Sequence, residues 1–379
     1  MLQVDAASTR STTSSRSTSG RTTRPRTACS GSSSTSTAST VVGIAAVIGY
    51  LHTGFEKTME QKTWWKCITY PERIDYVSFQ YNELVFVLAI EKLLEIEVPR
   101  KATWMRMCLG ELTRIHSHLV WLGTSALELG AISMFWYCVP RARRDPRPLR
   151  DGRRHADAHA LLPGRRARRG HPARASTTQA REFCEQMPKA IDEYETILDR
   201  NAIWLERTKG VGLLSADDAI ALGQSGPVLR ASGVDWDLRK RMPYLAYDEV
   251  DFDVPVYHGR RRLRPLQGAH GRDARSRCGS SRSASTGSRR CEGEPWIADD
   301  RKVVLPPREE LHTSMESLIH HFKIVTEGYR VPEGEVYIGD RVAARRVRAA
   351  TSSRTAARSR GASSSARRAS SRCRRPRPA

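Results

Sequence analysis

Lysine, glutamate, isoleucine, asparagine and every aromatic residue are missing from four stretches of this 379-residue chain: 1–40, 139–179, 259–290 and 339–379. Together these 154 residues hold 40 arginines and 6 aspartates, so they more than account for the net charge of +22. A segment with no aromatics and one dominant charge sign cannot bury enough apolar surface to offset the entropy lost on ordering. The four basic stretches are therefore expected to be unstructured. The other 225 residues hold 23 basic and 35 acidic groups, a net −12, together with all 26 aromatics. The overall basicity is thus no evidence for a nucleic-acid partner.

Further absences bound the chemistry. The 8 cysteines form no Cys-x-x-Cys pair, so neither a disulfide framework nor a zinc or iron–sulfur site is signalled, and no metal ligands are assigned. A reduced, cytoplasmic setting follows. The longest apolar run, Val41 to Leu51, falls short of the roughly 20 residues needed to span a bilayer. No glycine-rich phosphate loop opens a helix, so no dinucleotide cofactor is expected to bind this chain. The N-terminus is rich in Ser, Thr and Arg and poor in acid, as a transit peptide is, but has no apolar core for secretion.

What is present falls into three blocks, 41–138, 180–258 and 291–338. Gly54 and Pro71 punctuate a short first unit containing His52, Trp64 and Trp65. The mostly apolar run Asn82–Leu94, with Glu83, Glu91 and Lys92 as polar points, suits a buried helix that Pro99 would stop. Met105, Leu109, Leu112, Ile115, Leu119 and Leu122 recur at steps of three and four and predict a second helix. A third is expected from about Ala180 to Leu205, with Met187, Ile191, Tyr194 and Leu198 on one face and Pro188 as a kink or restart. Val250, Phe252 and Val254 alternate as a short strand would, and Ser314–Val325 reads as a last helix. The fold class is α+β, mostly helical with small β elements.

Several in-frame strings carry a resemblance. They are RIDYVSFQYNE (Arg73–Glu83), AIEKLLEIEVPRKATWMRMCLGELTRIHSHLVWLGTSALELGA (Ala89–Ala131) and SGPVLRASGVDWDLRK (Ser225–Lys240). YDEVDFDVPV (Tyr247–Val256), TSMESLIHHFK (Thr313–Lys323) and EGYRVPEGEVY (Glu327–Tyr337) follow in order. The chain resembles the D subunit of bacterial NADH–quinone oxidoreductase, the 49-kDa subunit family of respiratory complex I. That family is similar in fold to the large subunit of nickel–iron hydrogenases, which implies a helical core of that kind. The resemblance runs through the three acidic blocks nearly end to end.

The basic stretches then read as the same gene out of frame. A residue fixes two bases of the overlapping codon in another frame and leaves only the third free. Gly20–Ala38 can be shifted to G-P-H-H-P-S-T-H-G-V-L-R-L-V-L-D-L-D-G, which looks like the family's N-terminal signature. Val139–Asp151 becomes F-R-E-R-D-E-I-L-D-L-F-E-M, and Arg153–Leu162 becomes G-G-T-R-M-H-T-R-Y-F. Arg261–Ala274 becomes D-V-Y-D-R-Y-K-V-H-M-D-E-M-R, and Asp340–Val347 becomes I-E-S-P-R-G-E-F. The competing reading is a set of genuine basic linkers. The domain organisation so read is an out-of-frame N-terminal segment 1–40, family core 41–138, an out-of-frame segment 139–179, core 180–258, an out-of-frame segment 259–290, core 291–338, and an out-of-frame tail 339–379.

The resemblance implies a role in quinone reduction, with quinone as substrate and no cofactor bound by this chain alone. NADH, FMN and the iron–sulfur clusters would sit in partner subunits, and the complex at the inner (plasma) membrane, with this subunit peripheral on the cytoplasmic side. Quinone reduction needs two electrons and two proton donors beside the headgroup, which a tyrosine and a histidine can supply. In the family a Tyr of the R-[IL]-D-Y motif and a His of an H-P-x-x-H-G loop are proposed to hold the quinone. Tyr76 matches the Tyr; the His falls in Gly20–Ala38, where this chain has Thr and Arg. Glu128 stands where many members have Asp, a carboxylate thought to orient the His or relay protons. His52, Thr53 and Gly54 match a motif near the partner's terminal cluster, with Thr53 where many members have Arg. By themselves Tyr76 and Glu128 would read as a core tyrosine and a paired or snorkelling helix residue.

His116 and His118 lie two apart on a helix, which sends them to different faces, so they are poor joint metal ligands. His320 and His321 are read the same way, as helix-surface or interhelix hydrogen bonders. Trp236–Asp237–Leu238–Arg239 looks structural, an Arg–carboxylate packing corner. A second class of function, a basic nucleic-acid-binding protein with a globular core, requires aromatics interleaved with the arginine runs for base stacking, and they are absent.

Overall fold

The computed structural model describes residues 52–74, 77–144, 172–208, 214–256 and 298–332, single positions between 279 and 297, and the backbone of 15–19, 30–37, 40–48, 337–340 and 345–348. Its order begins with β1 (Ser15–Ser19), β2 (Ser30–Thr37) and β3 (Thr40–Ile48), an antiparallel sheet ordered β1-β2-β3. Ser15 pairs with Ser36, and Ser30 with Ile48. Helices α1 (Phe55–Glu60) and α2 (Trp64–Cys67) lead to the long pair α3 (Phe79–Leu94) and α4 (Arg100–Glu128). Then come α5 (Ile132–Arg144), α6 (Pro172–Asp199) and α7 (Ala202–Thr208). Short turns of helix follow as α8 (Ala216–Ala221), α9 (Pro227–Ala231) and α10 (Leu238–Arg241), and the last helix is α11 (Met315–Thr326). A hairpin of β4 (Tyr337–Asp340) and β5 (Arg345–Arg348) ends the described elements. The protein is mostly helical.

The expectation of no regular structure in the basic stretches is corrected at several points. Stretch 1–40 supplies β1 and β2, α5 runs on to Arg144, α6 starts at Pro172, and β5 lies in 339–379. The ladders are main-chain bonds, which Ser, Thr and Arg make as readily as apolar residues, and Arg and Ala are good helix formers. Regular backbone therefore does not require the apolar content that a core does.

The helices of the acidic blocks follow the hydrophobic pattern. On α4, Leu109, Leu112, Ile115 and Leu119 are buried, while Met105 and Leu122, at the ends of the stripe, are half-buried. On α6, Ala180, Cys184, Met187, Ile191, Tyr194 and Leu198 face the same core at steps of three and four. Fully burying each such aliphatic side chain is worth about 1.5–3 kcal/mol. Pro188 sits inside α6, which runs through it without a restart; the chain restarts as α7 after Arg200 and Asn201. The amphipathic stripe continues across the proline, so packing holds the helix where propensity alone would break it.

Pro99 does not stop α3. That helix ends at Leu94 and is capped four residues before the proline by Glu95, whose φ of 52° is left-handed and whose N–H bonds the Glu91 carbonyl. Pro99 caps α4 instead. The α4–α5 hairpin turns at Gly130, where φ is 95°, a conformation glycine adopts without a Cβ clash. The two helices approach closely at Gly123, where a Cβ would come within 3.3 Å of the Cys138 Cβ.

Residues 250–256 form no ladder, which corrects the expected strand. Their alternation survives as burial: Val250 and Phe252 are buried while Asp251 and Asp253 are exposed. The segment is extended along the helical core rather than paired with another strand. A second core gathers α1, α2 and the distal half of α3 around Trp64, Phe86, Ile90, Val303, Tyr329 and Val331.

Candidate functional site

Where α3, α4 and the 230–252 segment meet, the core is polar. Tyr81, on the first turns of α3, donates to Glu111 Oε1 of α4 at 3.3 Å, and its hydroxyl lies 3.1 Å from that of Tyr247. Tyr247 donates to the same Glu111 oxygen. The other Glu111 oxygen lies 3.5 Å from Arg239 Nη1, and Arg114 Nε is 3.6 Å from Oε1. Glu111 and Arg239 are fully buried. A buried carboxylate needs hydrogen bonds and opposite charge, and here two phenols donate to one oxygen while two guanidiniums stand at ion-pair distance.

The guanidiniums are anchored in turn. Asp237 caps α10 by accepting from the Arg239 backbone N–H, and its carboxylate takes Arg239 Nε and Nη2 at 3.2 and 3.0 Å. Arg230 Nη1 reaches Asp237 at 3.4 Å. Arg239 also stacks over the Phe252 ring at 4.0 Å, and Arg114 over the Tyr81 ring at 4.0 Å. Asp237 and Arg239 thus form the Arg–carboxylate corner that the sequence suggested. Arg114 Nη2 donates to the Tyr244 hydroxyl at 2.6 Å.

Electrostatics lock the protonation states. Burial, then the negative charge of Glu111, pushes the Tyr247 phenol well above the usual tyrosine range. Tyr247 is therefore a hydrogen-bond donor at any physiological pH. Burial works against the charge on Arg114, but Tyr244, Tyr81 and Glu111 outweigh it and hold the guanidinium protonated. The arrangement pins the start of α3 to α4 and to the 237–247 segment. It adds rigidity rather than a mobile proton.

The residues expected from sequence are placed as follows. Tyr76 lies outside the described residues, two positions before Ser78, which caps α3. Glu128 is the last residue of α4 and is exposed. His52 and Thr53 are exposed, and Gly54, at φ 67°, caps α1. His116, His118, His320 and His321 are half-buried on α4 and α11. Among the described residues no group of three or more His, Cys, Asp or Glu comes together as a metal site would need. No helix among them is long and apolar enough to cross a membrane.

Glu111, Arg114, Tyr81, Tyr247 and Arg230 were not singled out by the sequence. The signal was available for Glu111: it sits between Cys108, Leu112 and Ile115 on the face predicted to be apolar, and a charge there demands a buried partner. Nothing in the spacing could name that partner, since Tyr247 lies 136 residues away.

Residues 168–346 match the sequence model of the family described as respiratory-chain NADH dehydrogenase, 49 Kd subunit. The chain is 44% identical over 312 residues to a D subunit of NADH-quinone oxidoreductase from Herpetosiphon aurantiacus, covering 78% of this chain and 70% of that one. It is 44% identical over 306 residues to a D subunit from Koribacter versatilis, covering 79% and 73%. To the D subunit of Coxiella burnetii it is 42% identical over 320 residues, covering 76% and 75%. The chain belongs to the D-subunit family of NADH-quinone oxidoreductase. As a member of that family it is a subunit of an oxidoreductase, the respiratory complex I type, and the resemblance of its six ordered strings is thereby confirmed. The polar pin between α3, α4 and α10 is the part of this D-type core that holds the helix following Tyr76.

Proposed function

We propose that this subunit lines the quinone headgroup site of a proton-pumping NADH–quinone oxidoreductase and that Tyr76 is its hydrogen-bonding and proton-donating group. The observation that carries the reading is the string Arg73–Glu83, with Tyr76 in the family motif, in a chain 44% identical to a relative across 70% of its length. Reduction of a quinone to a quinol takes up two electrons and two protons. The electrons come from the terminal iron–sulfur cluster of a partner subunit, since this chain has no Cys-x-x-Cys pair to hold one. The phenol of Tyr76 donates its hydrogen bond to a headgroup carbonyl and gives up a proton as charge builds on that oxygen. Glu128 orients the second donor, and His52, Thr53 and Gly54 face the partner's cluster. The partners are that iron–sulfur subunit, the other complex I subunits and the membrane arm, with the subunit peripheral on the cytoplasmic side.

The second donor of the headgroup clamp belongs to the shifted reading of Gly20–Ala38 and is absent from the chain as written. The chain as written therefore lacks quinone reductase activity and folds poorly. Its exposed large apolar side chains fit this: Trp136 is 69% and Met315 72% accessible. Deep resequencing of the gene, followed by peptide mass spectrometry of the protein, tests the reading. Loss of the single-base shifts near codons 40, 138, 180, 258, 291 and 339 would restore an intact quinone-site subunit. Detection of tryptic peptides from the arginine runs would instead mark a decayed or repurposed copy, and the role of Tyr76 would be withdrawn.

A further inference from the structure

We draw no further inference here: the strongest candidate, the apolar stripe that Met315, Ile319 and Phe322 turn to solvent along α11 opposite the buried Ser317 and Ile324, carries none because nothing in the structure shows what covers it.

Discussion

Tyr81 and Tyr247, 166 residues apart in sequence, meet hydroxyl to hydroxyl at 3.1 Å over one oxygen of Glu111. The contact joins the start of α3 to α4 and to the segment after α10, elements drawn from the two blocks 41–138 and 180–258. One carboxylate thus ties together two parts of the chain that a basic stretch separates.

Glu111→Gln should be among the most destabilising single substitutions in the core. It keeps the shape but leaves Arg239 and Arg114 facing a neutral amide while buried. Removing one partner of a buried ion pair costs about 3–5 kcal/mol, because the remaining charge is left uncompensated. Urea unfolding of the subunit, with its reading frame intact throughout, measures this. A midpoint within error of the parent would show that Asp237 alone satisfies Arg239.

Alkaline pH should weaken the same cluster. Burial and the charge of Glu111 raise the Tyr247 phenol, whereas an unfolded tyrosine ionises near about pH 10. Above that pH the folded state holds a proton that the unfolded state has lost, so unfolding becomes easier as pH rises. The contribution is complete below about pH 10 and declines from there toward the folded value. Tyr247→Phe removes the titrating group, so its urea midpoint should fall less steeply between about pH 9 and 11 than the parent's.

The helices and their buried faces were legible because three- and four-residue spacing is a local property. Met187, Ile191, Tyr194 and Leu198 were placed on one face of α6 and are buried there. The restart that falls after Asp199 rather than at Pro188 and the missing strand at 250–256 have one cause: both depend on what lies across from the segment, which no local pattern encodes. Asp237 and Arg239 were legible as a pair because they are two residues apart. Glu111 with Tyr247 was not, since only the assembled fold brings them together. The basic stretches misled in the other direction, for their lack of apolar residues says nothing about main-chain pairing in β1 and β2.

Gly110 predicts an overpacking defect. A Cβ at this position would lie 2.8 Å from the Tyr81 hydroxyl oxygen and 2.9 Å from its Cζ. Tyr81 cannot yield without breaking its bonds to Glu111 and Tyr247, so Gly110→Ala should destabilise by about 1–3 kcal/mol despite the gain in helix propensity. The double variant Gly110→Ala, Tyr81→Leu should fall short of the sum of the single effects, because the shorter side chain vacates the contact. Additive effects in urea unfolding would mean that Tyr81 swings away at little cost.

A buried ion pair outside that cluster allows a cleaner test of whether such charges serve stability. Arg106 of α4 grips Glu91 of α3 with two parallel bonds of 2.9 and 2.7 Å, both side chains being almost wholly buried. Fork-to-fork geometry is the strongest form of this contact, yet taking two charges from water offsets most of its gain. Arg106→Met leaves Glu91 unpaired in the core and should cost about 3–5 kcal/mol. Adding Glu91→Met removes the stranded charge and extends the apolar surface between α3 and α4, so the double variant should recover most of that loss. Urea midpoints of the parent, the two single variants and the double variant close the cycle. If the double variant is as unstable as Arg106→Met, the pair contributes net stability and does more than fix the register of the two helices.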